Sequence, residues 1–151
     1  MLDSKNIRYT AFEFPPEKLS AVEVAALLQI PAEQVYKTIV ITREGKGKPV
    51  LALVPGPGEV DLKLLANVLG EKKVHLPTGR EAEQITRLQA GGISPLALVN
   101  RGFQAVIDFS ALTIDQIYIS GGQRGLDIRI SPHDLATLTH AEFADISKTS
   151  T

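Results

Sequence analysis

Apolar positions along the chain switch between a spacing of two and a spacing of three to four, so strands and short helices should alternate. Arg8–Phe14 alternates as a strand, and Pro15-Pro16 stops it. Ser20 and Glu23 have capping-box spacing ahead of Val24, Leu27 and Leu28, which predicts a short helix. Tyr36–Thr42 is rich in β-branched residues and reads as a strand. The turn Glu44-Gly45-Lys46-Gly47-Lys48 then leads to a second strand, Pro49–Val54, giving a hairpin. Asp61 is placed to cap a helix over Leu62–Leu69, with Gly70 just past its end. Lys72–Leu76 reads as a short strand, and Thr78 with Glu81 opens a helix to about Leu88. Further strands are expected at Gln104–Asp108, Ile117–Ser120 and Leu126–Ile130. Ser131, Pro132 and Asp134 open the last helix, and Ala141–Ile146 adds an edge strand. Seven or so strands with about four helices point to an α+β fold around a strongly curved mixed sheet. No repeat or low-complexity stretch interrupts it. Residues 1–147 are expected to form one domain, with 148–151 a flexible tail.

A length of 151 residues suits one hydrophobic core. The absence of cysteine excludes disulfides, thiolate zinc sites and a protein thiol nucleophile. No apolar run approaches the ~18 residues of a membrane span, and Met1-Leu2-Asp3-Ser4 opens no secretory signal, so a cytoplasmic protein without a membrane partner is expected. The 16 Lys and Arg nearly balance 17 Asp and Glu, which argues against binding DNA or RNA by bulk charge. Any nucleic-acid contact must use one local basic face. Without tryptophan there is also little material for a stacking platform. Composition therefore favours a small enzyme or a small-ligand binder.

Two glycine-rich stretches can bring backbone N–H groups close to a ligand: Gly91-Gly92-Ile93-Ser94-Pro95, and Ser120-Gly121-Gly122-Gln123-Arg124-Gly125. Each is equally readable as a tight turn. Neither carries the Gly-Lys-Ser/Thr ending of a phosphate cradle. Lys37 lies inside an apolar strand, where lysine is otherwise rare. Pointing inward it would bind or polarise a carbonyl; pointing outward it would be a solvated side chain. Alternation leaves the two readings even. Asp127, between Arg124 and Arg129, is either a surface ion-pair partner or a group that orients the loop and neutralises a basic pocket. His75, His133 and His140 do not converge in sequence on a metal site, and no serine has a nucleophile-elbow context.

The order Gln34-Val35-Tyr36-Lys37-Thr38, Gly91-Gly92-Ile93-Ser94-Pro95-Leu96, then Ser120-Gly121-Gly122-Gln123-Arg124-Gly125-Leu126-Asp127-Ile128 resembles the YbaK family of aminoacyl-tRNA editing proteins. The likeness spans nearly the whole chain and is nearest to the bacterial Cys-tRNA(Pro) deacylase branch, related to the editing domain of prolyl-tRNA synthetase. It implies a barrel-like mixed sheet ringed by short helices. It makes Lys37 the catalytic residue, with Thr38, Ser120 and Asp127 in the pocket. Gly91, Gly92 and Ser94 match the loop closing the acyl pocket, and Phe12, Ile93, Gly121, Gly122 and Arg124 complete the substrate-binding set. Phe12 stands where the family often has tyrosine, and Ala97 where glycine is common. The family's N-terminal helix is expected to be shortened or absent.

The resemblance also implies chemistry. In the cysteine-specific branch the substrate's own thiol attacks its carbonyl and leaves as a cyclic thiolactone, so no metal or cofactor is required. The protein then binds, bends and stabilises. The implied partners are the 3′ acceptor end of aminoacyl-tRNA and prolyl-tRNA synthetase. Two alternatives stay open: a deacylase for Ala-tRNA(Pro) or another small mischarged amino acid, and a non-catalytic module binding the charged 3′ end or a synthetase.

Overall fold

The computed structural model of the protein describes residues 9–44, 47–98 and 101–149. The first half contains β1 (Tyr9–Glu13), α1 (Ala21–Leu28), β2 (Tyr36–Arg43), β3 (Val50–Pro55), β4 (Gly58–Val60), α2 (Leu62–Leu69) and β5 (Val74–His75). The second contains α3 (Gly79–Thr86), α4 (Pro95–Leu98), β6 (Gln104–Asp108), β7 (Ile117–Ser120), β8 (Leu126–Ile130), α5 (Pro132–Thr139), β9 (Glu142–Ala144) and β10 (Ser147–Thr149). Helices begin where side chains answer the unpaired N–H groups of a first turn. Ser20 with Glu23 and Thr78 with Glu81 form reciprocal capping boxes, and Asp61 accepts from the N–H groups of Lys63 and Leu64. Ser131 accepts from the Asp134 N–H at the start of α5. Gly70 ends α2 in the left-handed region, whereas Gln29, Arg87 and His140 end α1, α3 and α5 there without being glycine. Hence α3 stops at Thr86, two residues short of the expected Leu88.

Two sheets carry the fold. One has the strand order β5-β2-β3-β6-β9, the other β1-β8-β7. The larger is mixed, because β2–β3 is an antiparallel hairpin while β3–β6 and β6–β9 are parallel. Leu51, Leu53, Ala105 and Ile107 project into one cluster, and Val50, Ala52, Val54 and Val106 into another. The unbroken apolar run Val50–Val54 is thus a central strand covered on both faces. The first face meets Ile117, Ile119, Ile128 and Ile130 of the smaller sheet, together with Leu135 and Leu138 of α5. The second is covered by Leu65 and Ala66 of α2. On the far side of the smaller sheet, Val24 and Ala25 of α1 pack with Val35 and Tyr118.

The expected barrel-like closure is not found. The larger sheet keeps free edges at β5 and β9, and a single parallel bridge, Val35 to Tyr118, links the two sheets among the described residues. A sheet whose central strands are apolar on both sides needs cover on both, which layers supply and a closed barrel around one interior does not. Lys148 and Thr149, expected in a flexible tail, instead pair through β10 with β4. Buried Asp108 fixes the approach to β10 by accepting from the Ile146 N–H at 3.0 Å. Ser150 and Thr151, Gly45 and Lys46 of the hairpin turn, and residues 1–8, with Arg8 and the expectation for an N-terminal helix, lie outside the described residues.

Candidate active site

β2 and β7 run parallel from the Val35–Tyr118 bridge, and two residues further along them come Lys37 and Ser120. Ser120 stands opposite Asp127 in the β7–β8 register, and Asp127 stands opposite Phe12 across β8–β1. A cavity of about 360 Å³ opens here beside the start of α1, bringing together Lys37, Thr38, Gly91, Ile93, Ser120 and Asp127. The rest of its wall is largely apolar, from Val24 of α1, Val35 just before β2, Val40 on β2, and Ala82 of α3. A mostly apolar cleft with a few convergent polar groups is the usual form of a small-molecule site.

Three of those polar groups, Lys37, Thr38 and Asp127, have no hydrogen-bond or ion-pair partner among the described residues, whereas the Ser120 hydroxyl accepts from the Gly122 N–H. Lys37 is the one cation on this wall, and among the described residues its ammonium makes no hydrogen bond or ion pair. The Thr38 hydroxyl is buried with no hydrogen-bond partner. Asp127 is 5% exposed, and burial pushes its carboxyl up from the ordinary 3.8 to about 7. Its sequence neighbours do not relieve it. Arg124 donates from Nε to the Ala90 carbonyl at 2.7 Å, while Arg129 bonds Thr10 at 3.2 Å and lies over the Phe12 ring. Neither a surface ion pair nor neutralisation of a basic pocket therefore describes Asp127. It is a desolvated acid facing the cavity.

This has a measurable consequence. The folded chain holds the Asp127 proton up to about pH 7, and an unfolded chain releases it near 3.8. The folded state binds the extra proton between those values, so Asp127 lowers stability as pH rises through that window. Asp127→Asn is expected to match the wild type below pH 4 and to exceed it above pH 7, by on the order of a few kcal/mol. Thermal melts of both proteins at pH 4, 6 and 8 test this; a difference that does not grow with pH contradicts it.

The glycine loops divide between contact and support. Gly91, at φ +87°, lies on the wall. Gly92 does not: its N–H bonds the Gln89 carbonyl at 2.8 Å, and a Cβ there would lie 2.9 Å from Gln123 backbone atoms. Ser94 is fully buried and accepts from the Leu96 N–H at the start of α4. Gly121 donates to the Leu126 carbonyl, and Gly122 to the Ser120 hydroxyl at 3.3 Å. Phe12 packs on Tyr118 with ring centroids 5.5 Å apart. Phe12, Gly92, Ser94, Gly121, Gly122 and Arg124, expected at the substrate, thus stand behind the wall, where the first loop rests on the second and Arg124 straps them together. Gly92→Val is accordingly expected to lower the melting temperature and cavity-dependent activity more than Ser94→Ala, which removes one capping bond worth about 1 kcal/mol. Equal losses or the reverse order would place Gly92 outside the loop-to-loop contact.

Sequence reasoning missed the opposite rim. Leu19, Ser20 and Ala21 enter from the start of α1, and Leu76, Pro77 and Gly79 from the approach to α3. The two capping boxes mark these helix starts, but nothing in them says that both converge on one cavity. No histidine lies on this wall.

The chain belongs to the aminoacyl-tRNA editing domain family, whose profile matches residues 15–138. It is 34% identical, over 97% of its length and 90% of the relative's, to an Enterococcus faecalis protein provisionally named a Cys-tRNA(Pro)/Cys-tRNA(Cys) deacylase. It is 31% identical to a proline–tRNA ligase of Thermodesulfovibrio yellowstonii, matching 82% of this chain but 20% of that ligase. A crystal structure described provisionally as a trans-editing enzyme for prolyl-tRNA synthetase superposes with a TM-score of 0.79 at 25% identity, over 97% of this chain and 92% of that one. A hypothetical protein of known structure shares the fold with a TM-score of 0.88 at 24% identity, over 97% of this chain and 96% of its own.

Proposed function

We propose that the chain acts as a single editing domain, β10 included, and as a trans-acting aminoacyl-tRNA deacylase that clears Cys-tRNA(Pro), and Cys-tRNA(Cys) by the same chemistry. The observation that carries this reading is the unpartnered set of Lys37, Thr38 and Asp127 around an apolar cavity in a chain without cysteine. An aminoacyl ester supplies what these groups lack. Its α-ammonium answers the Asp127 carboxylate, holding that carboxyl ionised, and its carbonyl oxygen answers Lys37. The substrate sulfur, as thiolate, attacks the ester carbonyl carbon. The carbon–oxygen bond to the ribose then breaks, the ribose oxygen takes a proton, and a thiolactone leaves. Lys37 contributes charge where the oxyanion develops, and the cavity contributes attack geometry.

The reading implies action in the cytoplasm on the 3′ acceptor end, alongside prolyl-tRNA synthetase. The match to one fifth of a proline–tRNA ligase supports that pairing. A second reading has its own support. Asp127, with its carboxyl at about 7 and opposite Ser120, suits a general base that activates water. That chemistry needs no substrate thiol and fits Ala-tRNA(Pro). Deacylation rates for tRNA(Pro) charged with cysteine, alanine, serine or proline decide between them. Cysteine fastest supports the first reading; alanine at least as fast supports the second; saturable binding without cleavage overturns both.

A further inference from the structure

A second cavity, of about 700 Å³, adjoins the first. The two share Lys37, Ile39 and Leu76, so Lys37 stands on a partition between two chambers. The chambers differ in chemistry. Beyond the partition the wall comes from the β4–α2 corner, residues 59–63, and from Lys148 on β10. Lys63 and Lys148 there add two cations to Lys37, against the carboxylates of Glu59 and Asp61. Asp61 is engaged, accepting from the N–H groups of Lys63 and Leu64 at 3.0 and 3.1 Å, where the positive end of α2 offsets its charge. Glu59 stands opposite Lys148 in the β4–β10 register. Leu76 is 61% exposed and presents apolar surface to both chambers.

An aminoacylated 3′ end has two unlike parts joined at an ester: a small acyl group, and a nucleotide whose backbone carries phosphodiesters. Two unlike chambers meeting at a lysine have the same plan. We propose that the second cavity receives the terminal nucleotide, with Lys63 and Lys148 against backbone phosphates and Leu76 against the base. The inference rests on the deacylase reading above and places the ester beside Lys37 at the partition.

Steady-state cleavage of Cys-tRNA(Pro) and of phosphate-free 3′-cysteinyl-adenosine tests it. Lys63→Ala and Lys148→Ala are each expected to raise KM for the tRNA roughly five- to tenfold with kcat within about twofold, as removing the cation opposite a phosphate requires. The salt dependence of the tRNA reaction should flatten by about 0.7 in log–log slope for each phosphate left without its lysine. KM for the adenosine ester should stay unchanged, and Lys63→Arg and Lys148→Arg should restore most of the tRNA affinity. Unchanged KM for both alanine variants, or an equal rise for the phosphate-free ester, overturns the proposal while leaving the deacylase standing. A wild-type protein that cleaves no aminoacyl-tRNA overturns both.

Discussion

Lys37→Ala is expected to lower deacylation turnover by ~100-fold or more, the scale of losing one preorganised electrostatic group. The fold should survive, because the side chain holds nothing together. Its ammonium makes no hydrogen bond or ion pair with a described residue, and the pairing of Lys37 with Val54 in the β2–β3 ladder is a backbone matter. Removing a partly buried, unpaired charge raises stability if it changes it at all. Circular dichroism and a thermal melt of the variant should therefore match or exceed the wild type while single-turnover rates collapse. Lys37→Arg separates charge from position. A planar guanidinium in place of a compact ammonium reaches the carbonyl differently, so partial activity is expected. A folded Lys37→Ala protein with near-wild-type turnover would remove Lys37 from the chemistry.

How much of the molecule is legible in its sequence differs between local and long-range features. The caps of α1, α2, α3 and α5 are legible because each is a contact across two or three residues. The hairpin is legible for the same reason. β4 and β10 are not, since a three-residue strand shows no periodicity and β4 begins beside Pro57. Lys37 stays even between two faces because alternation ranks faces only when the partner layer is known. The Val35–Tyr118 bridge, 83 positions apart in sequence, is what turns that stretch of β2 toward a cavity. The glycine loops are visible as loops, yet the need for a small residue at Gly92 arises from Gln123 in the other loop. Asp127 invites an ion pair with its neighbours, and the structure gives those arginines other partners. Motif order points to a candidate site; tertiary contacts decide which of its residues face the cavity.

Cys-tRNA(Pro) should be cleaved much faster than Ser-tRNA(Pro), although the two side chains differ by one atom. A cavity that separates near-isosteres by fit alone is worth ~1–3 kcal/mol of discrimination, or roughly 10- to 200-fold. The apolar part of the lining offers no finer sieve, since Val24, Val35, Val40 and Ala82 make generic apolar contact. Chemistry adds to fit when the substrate supplies the nucleophile. With an ordinary pKa of about 8.5, a thiol is a few per cent thiolate near neutral pH, whereas a hydroxyl is almost wholly protonated. No histidine lies on the cavity wall to activate a serine hydroxyl, which leaves that task to Asp127. The rate with cysteine should therefore rise with pH toward the substrate thiol's pKa. A profile governed by Asp127 alone should instead level off above about pH 7. Mass spectrometry of quenched reactions should detect cysteine thiolactone before it hydrolyses. Equal rates for the cysteine and serine esters, with only free amino acid released and a plateau above pH 7, would assign the attack to water activated by Asp127. The alanine-type deacylase would then be the better account of the same cavity.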